Sequence, residues 1–302
     1  MVKRPAFTML ELVWVIVILG IISTIGADII SSMYQNYLRA RTIERLQSQT
    51  EITLEQIAKR LEYRIKDSII ARNSATNDLL ALSDSSVTND FDVIEWIGYS
   101  NETFRGLSTP LWTGLVDLEN PNTSRSAGTI VSPGSDFEKV ANYMEALTNK
   151  KVDMTSGKEA AIIFKRPSNI EDFGWDKTAN SYGTNALPVT FVASNPDRLS
   201  INLPTSALPS TIYEHYYLAH SAYALVPEGD MSDFNLTLRY NYQPWQGDFY
   251  DNNASSSLLA TNVSLFRVRQ DANLIRIKLC LHDDNKTGTN DRIVACKEKV
   301  VF

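Results

Sequence analysis

The chain holds two cysteines, three histidines, thirteen glycines and eleven prolines in 302 residues. So few cysteines exclude a disulfide scaffold, and so little glycine and proline exclude a collagen-like or low-complexity chain. No H-E-x-x-H, G-x-S-x-G, phosphate-loop or G-x-G-x-x-G pattern occurs, so none of the common catalytic or nucleotide motifs is present and an enzyme is not expected. The histidines are poorly placed for one metal. His215 and His220 lie five apart in an apparent strand and point to opposite faces, while His282 stands beside an Asp-rich loop, where a surface role is the default. A basic excess is also missing: the formal charge is -6 and the pI about 5.2. Beyond residue 72, acids outnumber bases 28 to 19, so nucleic acid is not an expected partner. There is no internal repeat, and only one long apolar run, which excludes a polytopic membrane protein.

That run is residues 12–27, sixteen positions without a charge. As helix it spans about 24 Å, short of a hydrocarbon core of about 30 Å. Adding residues 7–10 closes the gap and places Glu11 inside the apolar stretch, where an unpaired carboxylate costs at least about 2.5–3.5 kcal/mol. Three readings compete. A cleaved secretory signal uses Lys3 and Arg4 as its basic region and Ile25-Gly26-Ala27 before Asp28 as its cleavage site, with Glu11 as the misfit. A plain single-span anchor fits the length and the Lys3/Arg4 flank and leaves Glu11 unexplained.

The third reading accounts for Glu11. The segment Lys3-Arg4-Pro5-Ala6-Phe7-Thr8-Met9-Leu10-Glu11, followed by the apolar run, resembles the cleavage and methylation motif of type IV prepilins and type II secretion pseudopilins. The resemblance implies cleavage between Ala6 and Phe7, N-methylation of Phe7, and an assembly role for Glu11 at the fifth mature position. Ala6 stands where the family usually has Gly, and the mid-helix Pro common in the family is absent, leaving Gly20 and Gly26 as weak points. The implied fold is α+β and pilin-like: leader 1–6, transmembrane helix 7–30, amphipathic stem 31–72, and a β-rich periplasmic head 73–302. The implied function is a minor pilin or pseudopilin that initiates or caps a pilus or secretion filament; a filament-tip adhesin or receptor for a carbohydrate or protein is the alternative. Implied partners are other pilins or pseudopilins, a prepilin peptidase, an inner-membrane assembly platform and the lipid bilayer. The implied location is the bacterial inner membrane, N-terminus cytoplasmic and head periplasmic, then the filament.

Downstream, residues 31–72 lack Gly and Pro, and Leu46, Leu54, Ile57, Leu61, Ile65 and Ile69 recur at helical spacing. Glu55 with Lys59, and Glu62 with Lys66, have favourable i, i+4 spacing. Strands are expected at 91–99, 160–165, 188–193 and 198–203. The alternation Phe234, Leu236, Leu238, Tyr240, Tyr242 predicts a strand with one buried face. Ser135 and Glu138 form a capping box opening a helix to about Asn149. A three-strand meander is expected over 263–269, 274–282 and 292–301. A hairpin turning on Thr287-Gly288-Thr289 brings Cys280 opposite Cys296, as a disulfide if the compartment is oxidising and as a free thiol pair otherwise. That register puts Lys297 and Lys299 on the face of Leu279 and Ile277, which calls for a bulge or an edge strand.

Remaining site signals are slight. No cofactor is expected; a calcium option rests on Asp283 and Asn285 in Asp283-Asp284-Asn285-Lys286-Thr287-Gly288, although position twelve is Val294 instead of Glu. Asn285 and Asn235 begin acid-preceded N-glycosylation sequons. Trp245, Phe249 and Tyr250 lie in a polar loop, where they are either core anchors or a recognition surface.

Overall fold

A computed structural model describes residues 8–106, 108–155, 157–176, 183–283 and 292–302. Helix α1 runs unbroken over Met9–Leu61, about 80 Å at 1.5 Å per residue, and neither Gly20 nor Gly26 interrupts it. The strands are β1 (Ile70–Arg72), β2 (Leu79–Ala81), β3 (Val93–Tyr99), β4 (Thr129–Val131), β5 (Ala160–Phe164), β6 (Ala186–Val192), β7 (Asn195–Ile201), β8 (Tyr216–Asp230), β9 (Asp233–Tyr242), β10 (Ser255–Asp271), β11 (Leu274–His282) and β12 (Val294–Val301). Two short helices, α2 (Asn101–Arg105) and α3 (Phe137–Leu147), lie between them.

Among the described residues these strands form one antiparallel sheet that branches at β8. Ala219 pairs with Ala161 of β5 on one side and with Tyr99 of β3 on the other. From β8 the sheet runs through β9, β10 and β11 to β12, and separately through β5, β6 and β7 to β4. The first branch packs under α1. Leu46, Leu54, Ile57 and Leu61 meet Leu236, Ile277 and Leu279 in one apolar cluster. The second branch packs under α3, where Val140 and Met144 meet Ile162 and Leu199.

The helix ends at Leu61, eleven residues before the position its apolar spacing suggests. No breaker stops it; the sheet captures the chain. Tyr99 donates its N–H to Tyr63 O (3.0 Å) and Ile65 donates to Ile97 O (2.8 Å). Arg64 caps the end by donating to Leu61 O, Phe302 O and Asn273 O. Ile65 and Ile69 are buried as expected, but in the connection and not on the helix. The anticipated i, i+4 pairs are therefore replaced: Lys59 pairs with Glu62 (2.7 Å), and Glu55 pairs with Lys299 of β12.

The register of β11 and β12 is unbroken, with Leu279 opposite Lys297, Ile277 opposite Lys299 and Cys280 opposite Cys296. No bulge is present. β12 is the edge strand, and its two lysines point at the helix, where Lys297 reaches Glu51 at 2.7 Å. Lys297 holds the Glu51 carboxyl below its ordinary value through this hydrogen bond and charge. The contact is thus complete above the usual glutamate range and is lost as pH falls through the lowered value.

Two local expectations shift. The cap of α3 is Asp136, which accepts from Lys139 N–H (3.1 Å); the Ser135 hydroxyl is taken up by Ser132 and Thr113. In β9, Phe234, Leu236 and Leu238 are buried under the helix, but Asn241 adopts φ 58° beside a bulge between Ala222 and Tyr223. Tyr242 therefore turns into the central cluster with Trp245.

Candidate functional site

Among the described residues, residues 9–30 pack against no other part of the protein. Leu10, Trp14 and Ile22 are 71%, 61% and 59% exposed, and the first deeply buried helix residue is Leu46. By length and composition this helix can cross a membrane. Its one acid near the start is Glu11. Thr8 caps the helix: Glu11 N–H donates to Thr8 Oγ1 (3.4 Å), while Thr8 N–H and Oγ1–H donate to Glu11 Oε2, each at 3.1 Å. This reciprocal box satisfies otherwise unpaired donors at the helix start. The sequence signal for it is the spacing Thr8-x-x-Glu11. Ala6 and Phe7 lie outside the described residues.

In the head, Cys280 and Cys296 form a disulfide across the β11–β12 ladder. Next to it His282 is buried. Its Nε2 lies 3.1 Å from Asp233 Oδ1 and its Nδ1 lies 2.7 Å from Asp283 O. Asp283 is buried too, and its Oδ1 accepts from Ile293 N–H at 3.1 Å. These contacts close the neck of the loop carrying the calcium option and one sequon. Asn285 and Thr287-Gly288-Thr289 lie outside the described residues. Among the described residues no group of three or more His, Cys, Asp or Glu could hold a metal ion.

His282 is thus a structural residue and not a surface one. His215 and His220 also part company: the former is exposed, the latter buried and held below its ordinary pKa by desolvation. Trp245 is fully buried, and its indole N–H donates to Glu159 O (3.2 Å), so it anchors its loop to the core.

One cluster was not anticipated. Arg72 and Glu95 are both fully buried and paired at 2.5 Å. Arg72 also donates to Trp175 O (2.9 Å), and Tyr242 donates to Glu95 Oε2 (2.9 Å). Burial, then the neighbouring Glu95 charge, push the Tyr242 phenol well above its ordinary value, so it stays a donor. This network ties β1, β3 and β9 together.

Comparison with protein-family models, curated proteins and solved structures finds no match to the chain.

Proposed function

We propose that the protein is a pilin-like filament subunit, a minor pilin or pseudopilin, made as a prepilin and inserted in the bacterial inner membrane with its head in the periplasm. The observation that carries this reading is the unpartnered apolar helix with a single carboxylate, Glu11, at its start. A helix of this kind that is continuous with a folded head needs either lipid or other helices around it. Membrane storage supplies the first, and a filament of packed helices supplies the second. In such a filament the mature Phe7 ammonium of one subunit neutralises Glu11 of a neighbour, removing two charges that are each costly in lipid. The Cys280–Cys296 disulfide suits the same assignment, since it needs an oxidising compartment.

Two replacements test the role of Glu11. Glu11→Ala should leave membrane insertion intact and lower co-purification with partner pilins by about tenfold, the equivalent of 1.4 kcal/mol. Thr8→Ala removes only the cap, at about 1 kcal/mol of helix stability, and should assemble normally. Wild-type co-purification of Glu11→Ala, or equal defects in both variants, contradicts the assembly role.

A further inference from the structure

The β-sheet contains a gap that its own strands do not fill. β8 and β9 meet in a hairpin whose last pair is Asp230 with Asp233, and β9 pairs with β10 only as far as Phe234 opposite Val263. β10 goes on beyond that point. After an extra residue at Ser264, Leu265 to Asp271 continue in regular register with β11. On the β9 side, no backbone hydrogen bond reaches these seven residues from any described residue. In an antiparallel ladder alternate residues direct both N–H and C=O away from the paired strand. A length of about 24 Å of strand edge is therefore open.

That edge faces a groove of about 820 Å³ between β10 and the 82–92 loop, lined also by Met231 of the hairpin. The size falls within the usual range for ligand sites. Its floor is apolar, with Phe91, Phe266 and Val268 packed onto the main core. Its loop wall is acidic, with Asp84, Asp90 and Asp92. Among the described residues none of these three has an ion-pair partner. Of the two arginines lining the groove, Arg269 is paired with Asp271 and Arg267 donates to Phe266 O.

We propose that this groove binds an extended, basic polypeptide segment of another protein by strand addition to the free edge of β10. Main-chain hydrogen bonds to 265–271 supply the affinity, as in other cases of β-augmentation. Alternate apolar side chains enter over Phe266 and Val268, and lysines between them meet the aspartates of the loop. An extended segment is the occupant that uses all three features at once: a strand edge, a period-two apolar floor and an acidic wall. The site lies on the head and stands whether or not the protein enters a filament.

The test uses the full-length protein in detergent micelles and a library of eight-residue peptides with Val, Ile or Tyr at alternate positions and at least two lysines. Members should bind with a Kd below about 1 mM and slow hydrogen exchange of alternate amides within 265–271. The same peptides N-methylated at alternate residues should not bind. Asp90→Lys, with an unchanged melting temperature, should weaken binding about three- to fivefold. The proposal is overturned if no member binds, if binding leaves the 265–271 amides unprotected, if N-methylated peptides bind equally, or if glutamate-bearing peptides bind better.

Discussion

Replacing Glu95 with alanine should destabilise the head by about 3–5 kcal/mol, because it leaves Arg72 as an unpaired buried cation. In a head of this size that corresponds to a melting temperature lower by about 6–20 °C. The geometry gives the reason. Arg72 and Glu95 side chains are 1% and 0% exposed, so neither charge is solvated in place of its partner in the native packing. Two carbonyls, Trp175 O and Asn77 O, accept from Arg72 but carry no charge to balance it. Tyr242 loses its acceptor in the same variant. Removing the ion pair as a whole is different. Arg72→Met with Glu95→Gln keeps an acceptor for Tyr242 and leaves no buried charge, so most of the loss should be recovered. Urea melts of the single and double variants check this. A single variant within about 1 kcal/mol of wild type would contradict the account.

Replacing both cysteines with serine should cost up to about 3 kcal/mol, the chain-entropy value for a loop of about 15 residues. The bond spans a sequence separation of 16. Its effect should be uneven across the fold. β12 is the edge strand, and it carries Lys297 and Lys299, which hold Glu51 and Glu55 of the helix. Loosening β12 therefore loosens the seat of α1. Amide exchange should rise first in β12 and around residues 51–55 of the helix, while β5, β6 and β7 stay protected. Uniform acceleration, or none, would show that the bond does not secure this seat.

How far the sequence disclosed these features depended on whether local pattern or tertiary context decides them. The apolar run, the stripe from Leu46 to Leu61, strands β3, β5 to β7 and β9 to β12 and the Cys280–Cys296 pairing follow from periodicity and spacing, and the structure has them. The end of α1 does not follow. Ile65 and Ile69 keep a spacing of four, and only the hydrogen bonds to Ile97 and Tyr99 pull the chain away. Lys297 and Lys299 looked misplaced against Leu279 and Ile277 because their acids lie some 245 residues earlier in sequence. The Arg72–Glu95 pair left a faint trace: Arg72 ends the apolar run Ile69-Ile70-Ala71, and Glu95 is a single charge within Val93-Ile94-Glu95-Trp96-Ile97. One such charge reads as a solvated strand end. Two of opposite sign in neighbouring strands are a candidate buried pair. The Thr8 and Glu11 box was not among the sequence expectations, although its Thr-x-x-Glu spacing carries the signal, and it gives Glu11 a local role in addition to the one proposed for it in assembly.

The most direct test of the filament reading is the intact mass of the protein isolated from its native membrane. The reading predicts a chain that begins at Phe7 with one added methyl group, retaining Glu11 and the whole of α1. A chain beginning at Asp28, which lacks Glu11 and the apolar helix, or one that keeps Met1 or Val2, would contradict it.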